Sequence, residues 1–215
     1  MWEATIDGRP LHFHLAGINN QNFIMRDEET GSWWQQVSGA AIFGPLKGKR
    51  LKPVLQDELS FATWRGEHPN GRVLRPDPAV REYEPKDWEA HIARLPLVIR
   101  ANNKRLDDRE LVIGITIGNH DKAYPLKRVL AESPIIDVIG TTPIVILAGE
   151  DGKSVRAFER GKRELFKMNG AFVDASGERW DFTGRSSRGE QLRPVPILKD
   201  YWFDWDNYHP RTRVY

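Results

Sequence analysis

Apolar and polar positions alternate along this chain in a way that predicts many short strands and a few short helices. LVIGITIGNHDKAYPL (111–126) and TPIVILAGEDGKSVRAFER (142–160) each read as strand, turn, strand, with aliphatic runs on either side of a polar turn that contains glycine. Asp27 and Gly31 bracket another turn, because Asp accepts bonds from nearby backbone amides and Gly tolerates positive φ; DASG (174–177) offers the same chemistry in shorter form. Trp33 and Trp34 follow on opposite faces of one strand. Only Trp34 has a counterpart later in the chain, Trp180, which assigns Trp34 to the core and Trp33 to the surface or a groove. The spacing changes to three and seven around 60–68 and 201–209, where Phe61, Trp64 and His68 recur as Trp202, Trp205 and His209, predicting two short helices with an aromatic stripe. The proline after each histidine ends the helix. A further helix is expected between Asp87 as N-cap and Pro96, with Trp88, His91, Ile92 and Leu95 on one face.

These recurrences belong to a repeat. LKPVLQDELSFATWRGEHPNGRVL (51–74) and LRPVPILKDYWFDWDNYHPRTRVY (192–215) align without a gap and share Leu, Pro, Val, Trp, His, Pro, Arg and Val. Upstream, Asp27, Gly31, Trp34 and Gly39 correspond to Asp174, Gly177, Trp180 and Gly184, and GRPLHF (8–13) corresponds to GKRELF (161–166). The two strand–turn–strand stretches have no equivalent before residue 1, so the first unit begins near the point that Ala157 and Phe158 occupy in the second. The expectation is a shortened form or fragment of a two-unit protein, or a partner segment that covers the exposed edge. Residues 75–110, rich in charge and proline, read as a connector, with Asp107, Asp108 and Glu110 as a solvated turn.

Composition narrows the function classes. The chain of 215 residues is long enough for a substantial core, and eight Trp, nine Phe and five Tyr supply it. The absence of cysteine removes disulfides, thiolate metal sites and a cysteine nucleophile. Thirty-two basic residues against thirty acidic ones, interleaved even in the more basic stretch 151–193, argue against nucleic acid as a partner. No run approaches the length of a transmembrane segment, and the N-terminus carries no signal-peptide pattern.

Candidate chemistry is sparse. GPLKGK (44–49) has three residues between Gly and Gly-Lys and Arg50 after them, which excludes a phosphate loop. GNHD (118–121) lacks the companion elements of a metallophosphoesterase and reads as a hairpin turn. His12 and His14 share a strand face, with no third ligand in reach, so no metal and no cofactor are expected. His68, in the last helical turn, reads as a cap. GINNQNF (17–23), an insertion that the second unit lacks, is rich in amides that both donate and accept. The ligand-binding candidates are therefore Asn19, Asn20, Gln21, Asn22, Trp33, Gln35 and His68, facing a polar small molecule or a protein partner.

With D-x-x-T-G-S-W-W at 27–34, G-x-x-x-x-G-P-L-x-G at 39–48, W-x-x-x-H-P at 64–69 and A-Y-P at 123–125 after a V-I-G strand, the chain resembles domain of unknown function family 3179, over nearly its whole length. The resemblance implies a bacterial or archaeal protein, exported or associated with the cell envelope, and no established reaction; cytoplasm stays open for this chain. It also implies a Cys-x-x-Cys pair before SVRAF (154–158), where Gly149 and Gly152 stand here, so the thiol chemistry of that pair is not expected to extend to this chain.

The resulting expectation is a mainly β protein with short helices (α+β). It has a first, partial unit at 1–74, a connector at 75–110 and a second unit at 111–215, and the exposed edge of the first unit is open to oligomerisation. Its expected role is a non-catalytic binding or assembly module of the envelope. The rivals are a hydrolase-type enzyme using His68 or His14 as base with the amides as oxyanion donors, and a truncated subunit completed by a partner chain. A deep pocket where an imidazole, a carboxylate and the amide loop converge would favour the enzyme, and a flat or edge-exposed surface the module.

Overall fold

The computed structural model describes residues 1–215 apart from 20–21, 76, 80–86, 88–89, 92–93 and 169–170. Half of the helix expected between Asp87 and Pro96, residues 88–89 and 92–93, lies outside the described residues. Mainly β structure with short helices is what the chain adopts.

In the first half, β1 (Thr5–Ile6) and β2 (Arg9–Pro10) form a small hairpin, and β3 (Phe13–Asn19), β4 (Asn22–Asp27), β5 (Trp33–Gln35) and β6 (Ala41–Phe43) form an antiparallel sheet in chain order, followed by α1 (Phe61–Glu67). The second half opens with the hairpin of β7 (Leu111–Ile117) and β8 (His120–Pro125), then α2 (Leu126–Glu132), β9 (Ile135–Ile139), β10 (Thr142–Ala148) and β11 (Val155–Glu159). It continues through β12 (Leu165–Met168), β13 (Ala171–Asp174), β14 (Arg179–Trp180), β15 (Arg193–Val195), β16 (Leu198–Tyr201), α3 (Trp202–Tyr208) and β17 (Arg213–Val214). Its sheets run in the orders β15-β11-β10-β9, β12-β13-β14 and β16-β7-β8-β17.

The continuous apolar run of β10 has a physical reason. Ile144 and Ile146 enter a core with Ile113, Ile115, Tyr124 and Val129, while Val145 and Leu147 enter a second core with Phe158, Leu165, Phe172 and Trp180. A strand buried on both faces has no polar face to alternate with. One face of the first-half sheet is covered by Leu11, Trp34, Ala41 and Leu51 with Trp2, Phe13 and Met25, and the other buries only part of itself, at Asn22 and Ile24. That second face keeps Trp33 41% and Phe43 64% exposed.

The same local devices are built twice. The Trp34 indole N–H donates to Asp27 Oδ2 at 2.6 Å, and the Trp180 indole N–H to Asp174 Oδ2 at 3.1 Å. Each carboxylate also accepts backbone N–H bonds from its own turn, from Thr30 and from Ser176. Burial pushes both carboxyls up, yet these hydrogen bonds outweigh it and hold both below the usual carboxylate range. Downstream, Leu51 N–H reaches Gly39 O and Leu192 N–H reaches Gly184 O, each at 2.9 Å. Gly39 (φ +64°) lies under Trp2 and Gly184 (φ +76°) under Phe158; a Cβ would stand 2.7 Å and 2.5 Å from the respective rings, so both the turn and the close approach require glycine. One correspondence shifts. Phe13 pairs with Asp27 and Leu165 with Asp174, so Leu165 stands in the place of Phe13, because the segment from glycine to strand is one residue shorter in the second half.

The end of the expected connector is not a bare turn. Ala101 and Leu106 pack on Trp202 and Trp205, Asp108 Oδ1 accepts the Ala101 N–H at 2.9 Å, and the carbonyls of Glu110 and Asp108 accept the first N–H groups of α3, from Trp202 and Phe203, both at 2.8 Å. Asp107 alone of the three acids is exposed. The other two lie beneath the helix start, where free N–H groups need acceptors.

Candidate functional site

Helices α1 and α3 end alike. The capping histidines have φ and ψ of −126° and 66° for His68 and −129° and 63° for His209, and each backbone N–H bonds the carbonyl of the stripe tryptophan, at 2.8 Å to Trp64 and 2.9 Å to Trp205. The prolines that follow enforce this geometry. The two stripes meet different surroundings. On α3, Trp202, Phe203 and Trp205 are at most 2% exposed. The Trp205 ring lies so close on β7 that a Cβ at Gly114 would be 2.1 Å from it, and its N–H donates to Thr212 Oγ1 at 2.9 Å. Asp206, fully buried, takes the Asn103 backbone N–H at 3.1 Å and the Asn103 side-chain amide, with Arg105 at 3.9 Å.

On α1 no residue is buried. Phe61 is 63% exposed and stacks on half-buried Trp64 at 5.7 Å between centroids. Trp64, His68, Pro69, Asn70 and Gly71 line a wide-open hollow of about 410 Å³. Beyond it Val73 is 61% and Leu74 93% exposed.

The opposite side of α1 is fastened to the second half. Ser154 Oγ accepts the Ser60 N–H at 3.0 Å, and Thr63 Oγ1 donates to Asp151 Oδ2 at 2.8 Å. Asp151 and Ser154 sit in the tight turn built on Gly149 and Gly152, where Gly152 N–H bonds Gly149 O at 3.1 Å. Burial pushes the Asp151 carboxyl up, but donors from Ser154, Ser60 and Lys153 prevail and hold it far below the usual range. Arg156 closes this seam, giving Nε and Nη2 to Asp57 (3.0 and 2.6 Å) and Nη1 and Nη2 to Glu67 (2.7 and 2.8 Å) over the face of Phe182. A cleft of about 380 Å³ lies beside it, lined also by His68, Thr183 and Gln191. Its guanidinium is already bonded by two carboxylates, which leaves little capacity for an anion.

A second polar cluster joins α3 to the first-half sheet. Asn22 Nδ2 donates to Asp204 Oδ1 at 2.5 Å, and both side chains are buried. The Asp200 carboxyl hydrogen-bonds Asp204. Burial first, and then the charge of Asp204, push Asp200 up to about 8, so at neutral pH the carboxyl pair holds a proton. Burial also raises Asp204 and Tyr208, whose hydroxyl meets Asn22 and Gln35, and lowers His209. The His209 ring stacks on Trp205 at 3.6 Å with Nδ1 at 3.1 Å from the Trp205 carbonyl. The arrangement could move a proton between carboxyls, but its members are bonded chiefly to one another.

Of the residues singled out by sequence, Asn22 and Gln35 come together around Tyr208. Asn19 pairs with Asn22 across the β3–β4 ladder, and Asn20 and Gln21 lie outside the described residues. Trp33 lies on the same sheet face as Asn22 and Gln35 but is 41% exposed and edge-on to Phe43 at 6.1 Å, and His68 lies at α1. His12 is paired with Glu29 at 2.6 Å and His14 is exposed, so neither meets the amides. Sequence reasoning missed Asp200, Asp204 and Tyr208. The sequence match of 51–74 with 192–215 sets Leu59, Thr63 and Glu67 opposite them, so the acidic pair lies outside the residues the two stretches share.

Fold and seam together define a β-rich α+β protein whose two stripe helices differ in what covers them. The chain belongs to the family described as protein of unknown function DUF3179, which matches residues 1–212. No curated protein and no solved structure matches it.

Proposed function

We propose that the chain is a non-catalytic binding or assembly module that meets a partner through the aromatic face of α1. One observation carries this reading: Phe61 is open on α1 and Trp64 beside it is only half-buried, while Trp202 and Trp205, at the same positions of α3, are covered. Aromatic side chains left in the open on a rigid, well-fastened helix are the usual anchors of protein interfaces. An address in the cell envelope, resting on the family resemblance, belongs to the same proposal. The hydrolase reading draws support from the convergence of Asn22, Asp200, Asp204 and His209, which unites an amide, a carboxyl pair and an imidazole. It ranks second because those groups are bonded to each other.

A photo-crosslinking residue at position 61, with one at exposed Leu130 on α2 as control, separates the readings. In a lysate of the source organism, position 61 is expected to give a discrete protein adduct that position 130 does not. Adducts no different from the control, together with turnover of nitrophenyl ester, phosphate or glycoside substrates that Asp204→Asn abolishes, would transfer the case to the enzyme.

A further inference from the structure

The first-half sheet meets α3 at one small polar contact. Among the described residues, the hydrogen bonds between β3–β6 and the second half are made by Asn22 and Gln35: Asn22 Nδ2 donates to Asp204 Oδ1, and the Tyr208 hydroxyl meets both amides. Ile24, 6% exposed, lies on the same sheet face as these two residues. Behind Asp204 stands Asp200, hydrogen-bonded to it and held by the Tyr201 N–H at 2.7 Å. Two carboxyls bond each other only with a proton between them, and once both are ionised they are like charges in contact.

The groups around the pair do not neutralise a second ionisation. On α3 it faces Tyr208, which burial keeps in its neutral form, and then His209, whose imidazole burial also holds neutral, with Asp121, Arg50 and Asp204 around the ring. From the segment before α1, Glu58 adds a negative charge, and the Lys199 ammonium is spent on Glu58 at 3.0 Å. On β7 the residue opposite Asp200 is Val112, and Arg109 lies over the rings of Tyr201 and Phe203 with a bond to the Leu95 carbonyl.

We propose that Asn22, Asp204 and Asp200 form a proton-operated latch between the two halves: the first-half sheet stays on α3 while the carboxyls share a proton and parts from it when both are ionised, with α1 still fastened. The seam at α1 differs in kind. Arg156, between Asp57 and Glu67, keeps its charge throughout, and Asp151 is held far below the usual carboxylate range, so neither has a proton to lose just above neutral pH. Release at α3 therefore leaves α1 in place and opens the face of Asn22, Ile24 and Gln35 to solvent. The latch is independent of what α1 binds.

The chain has no cysteine, so spin labels attach only where cysteines are introduced. Labels on Lys47→Cys and Lys127→Cys, both at exposed positions, report the distance from the first-half sheet to α2 by pulsed electron spin resonance; labels on Arg65→Cys and Lys127→Cys report the α1 seam. Because burial and the Asp204 charge push Asp200 up to about 8, raising the pH from 7 to 9 is expected to lengthen and broaden the 47–127 distance and to leave the 65–127 distance unchanged. Asp200→Asn should abolish the response, so that the pH 7 distance persists at pH 9. A 47–127 distance indifferent to pH, or a response that survives in Asp200→Asn, would overturn the latch. So would parallel movement of the 65–127 pair, which would mean that the whole fold loosens and not one seam.

Discussion

Trp205→Ala is expected to lower the unfolding free energy by about 4 kcal/mol, measured by urea denaturation at pH 7, against about 1 kcal/mol for Trp64→Ala. The Trp205 ring is 2% exposed, fills the space above Gly114 and spends its N–H on the buried Thr212 hydroxyl. Truncation leaves a cavity between helix and sheet and removes the donor that the Thr212 hydroxyl accepts from, and both effects add. Trp64 rests on Gly71 and Phe61 beside open solvent, so its loss forfeits little buried area. Equal losses at the two tryptophans would mean that α1 is covered as α3 is.

The second large effect depends on pH. Asp200→Asn is expected to stabilise the protein by about 3 kcal/mol at pH 9 and to change little at pH 4. An aspartate in the unfolded chain titrates near 4, whereas burial and the Asp204 charge push Asp200 up to about 8 in the fold. Between those values the folded state holds a proton that the unfolded state has released. Stability therefore falls as pH rises from about 4 to about 8, and is level above it. Asparagine keeps a donor toward Asp204 and has no proton to lose, so this share of the slope disappears. Asp27, Asp137, Asp151 and Asp174, all held below their ordinary range, work in the opposite sense, and their stabilisation is lost as pH falls below about 4. Subtracting the parent curve from that of the variant removes their contribution. Identical curves would place Asp200 in water rather than against Asp204.

What could be read in advance follows from the range of the interactions. The β-rich class, the β7–β8 and β10–β11 hairpins, and the two stripe helices rest on periodicity and on proline and glycine chemistry within a few residues, and were legible. The Asp27–Trp34 device was half legible: its residues recurred, but the hydrogen bond between them needed the folded turn. The one-residue shift between Phe13 and Leu165 was invisible because turn length, not residue identity, sets strand register. Asn22 was singled out for its amide, yet its partner Asp204 is 182 positions away, and no local pattern reports such a contact. The fastening of α1 by Asp151 and Arg156 was hidden for the same reason.

Hydroxyl-radical footprinting of the full-length protein, read by mass spectrometry at the four stripe aromatics, tests most directly the claim that one stripe is open and its counterpart closed. Phe61 and Trp64 are expected to oxidise many times faster than Trp202 and Trp205 at protein concentrations where the chain is alone in solution. Comparable protection at both helices would contradict the account.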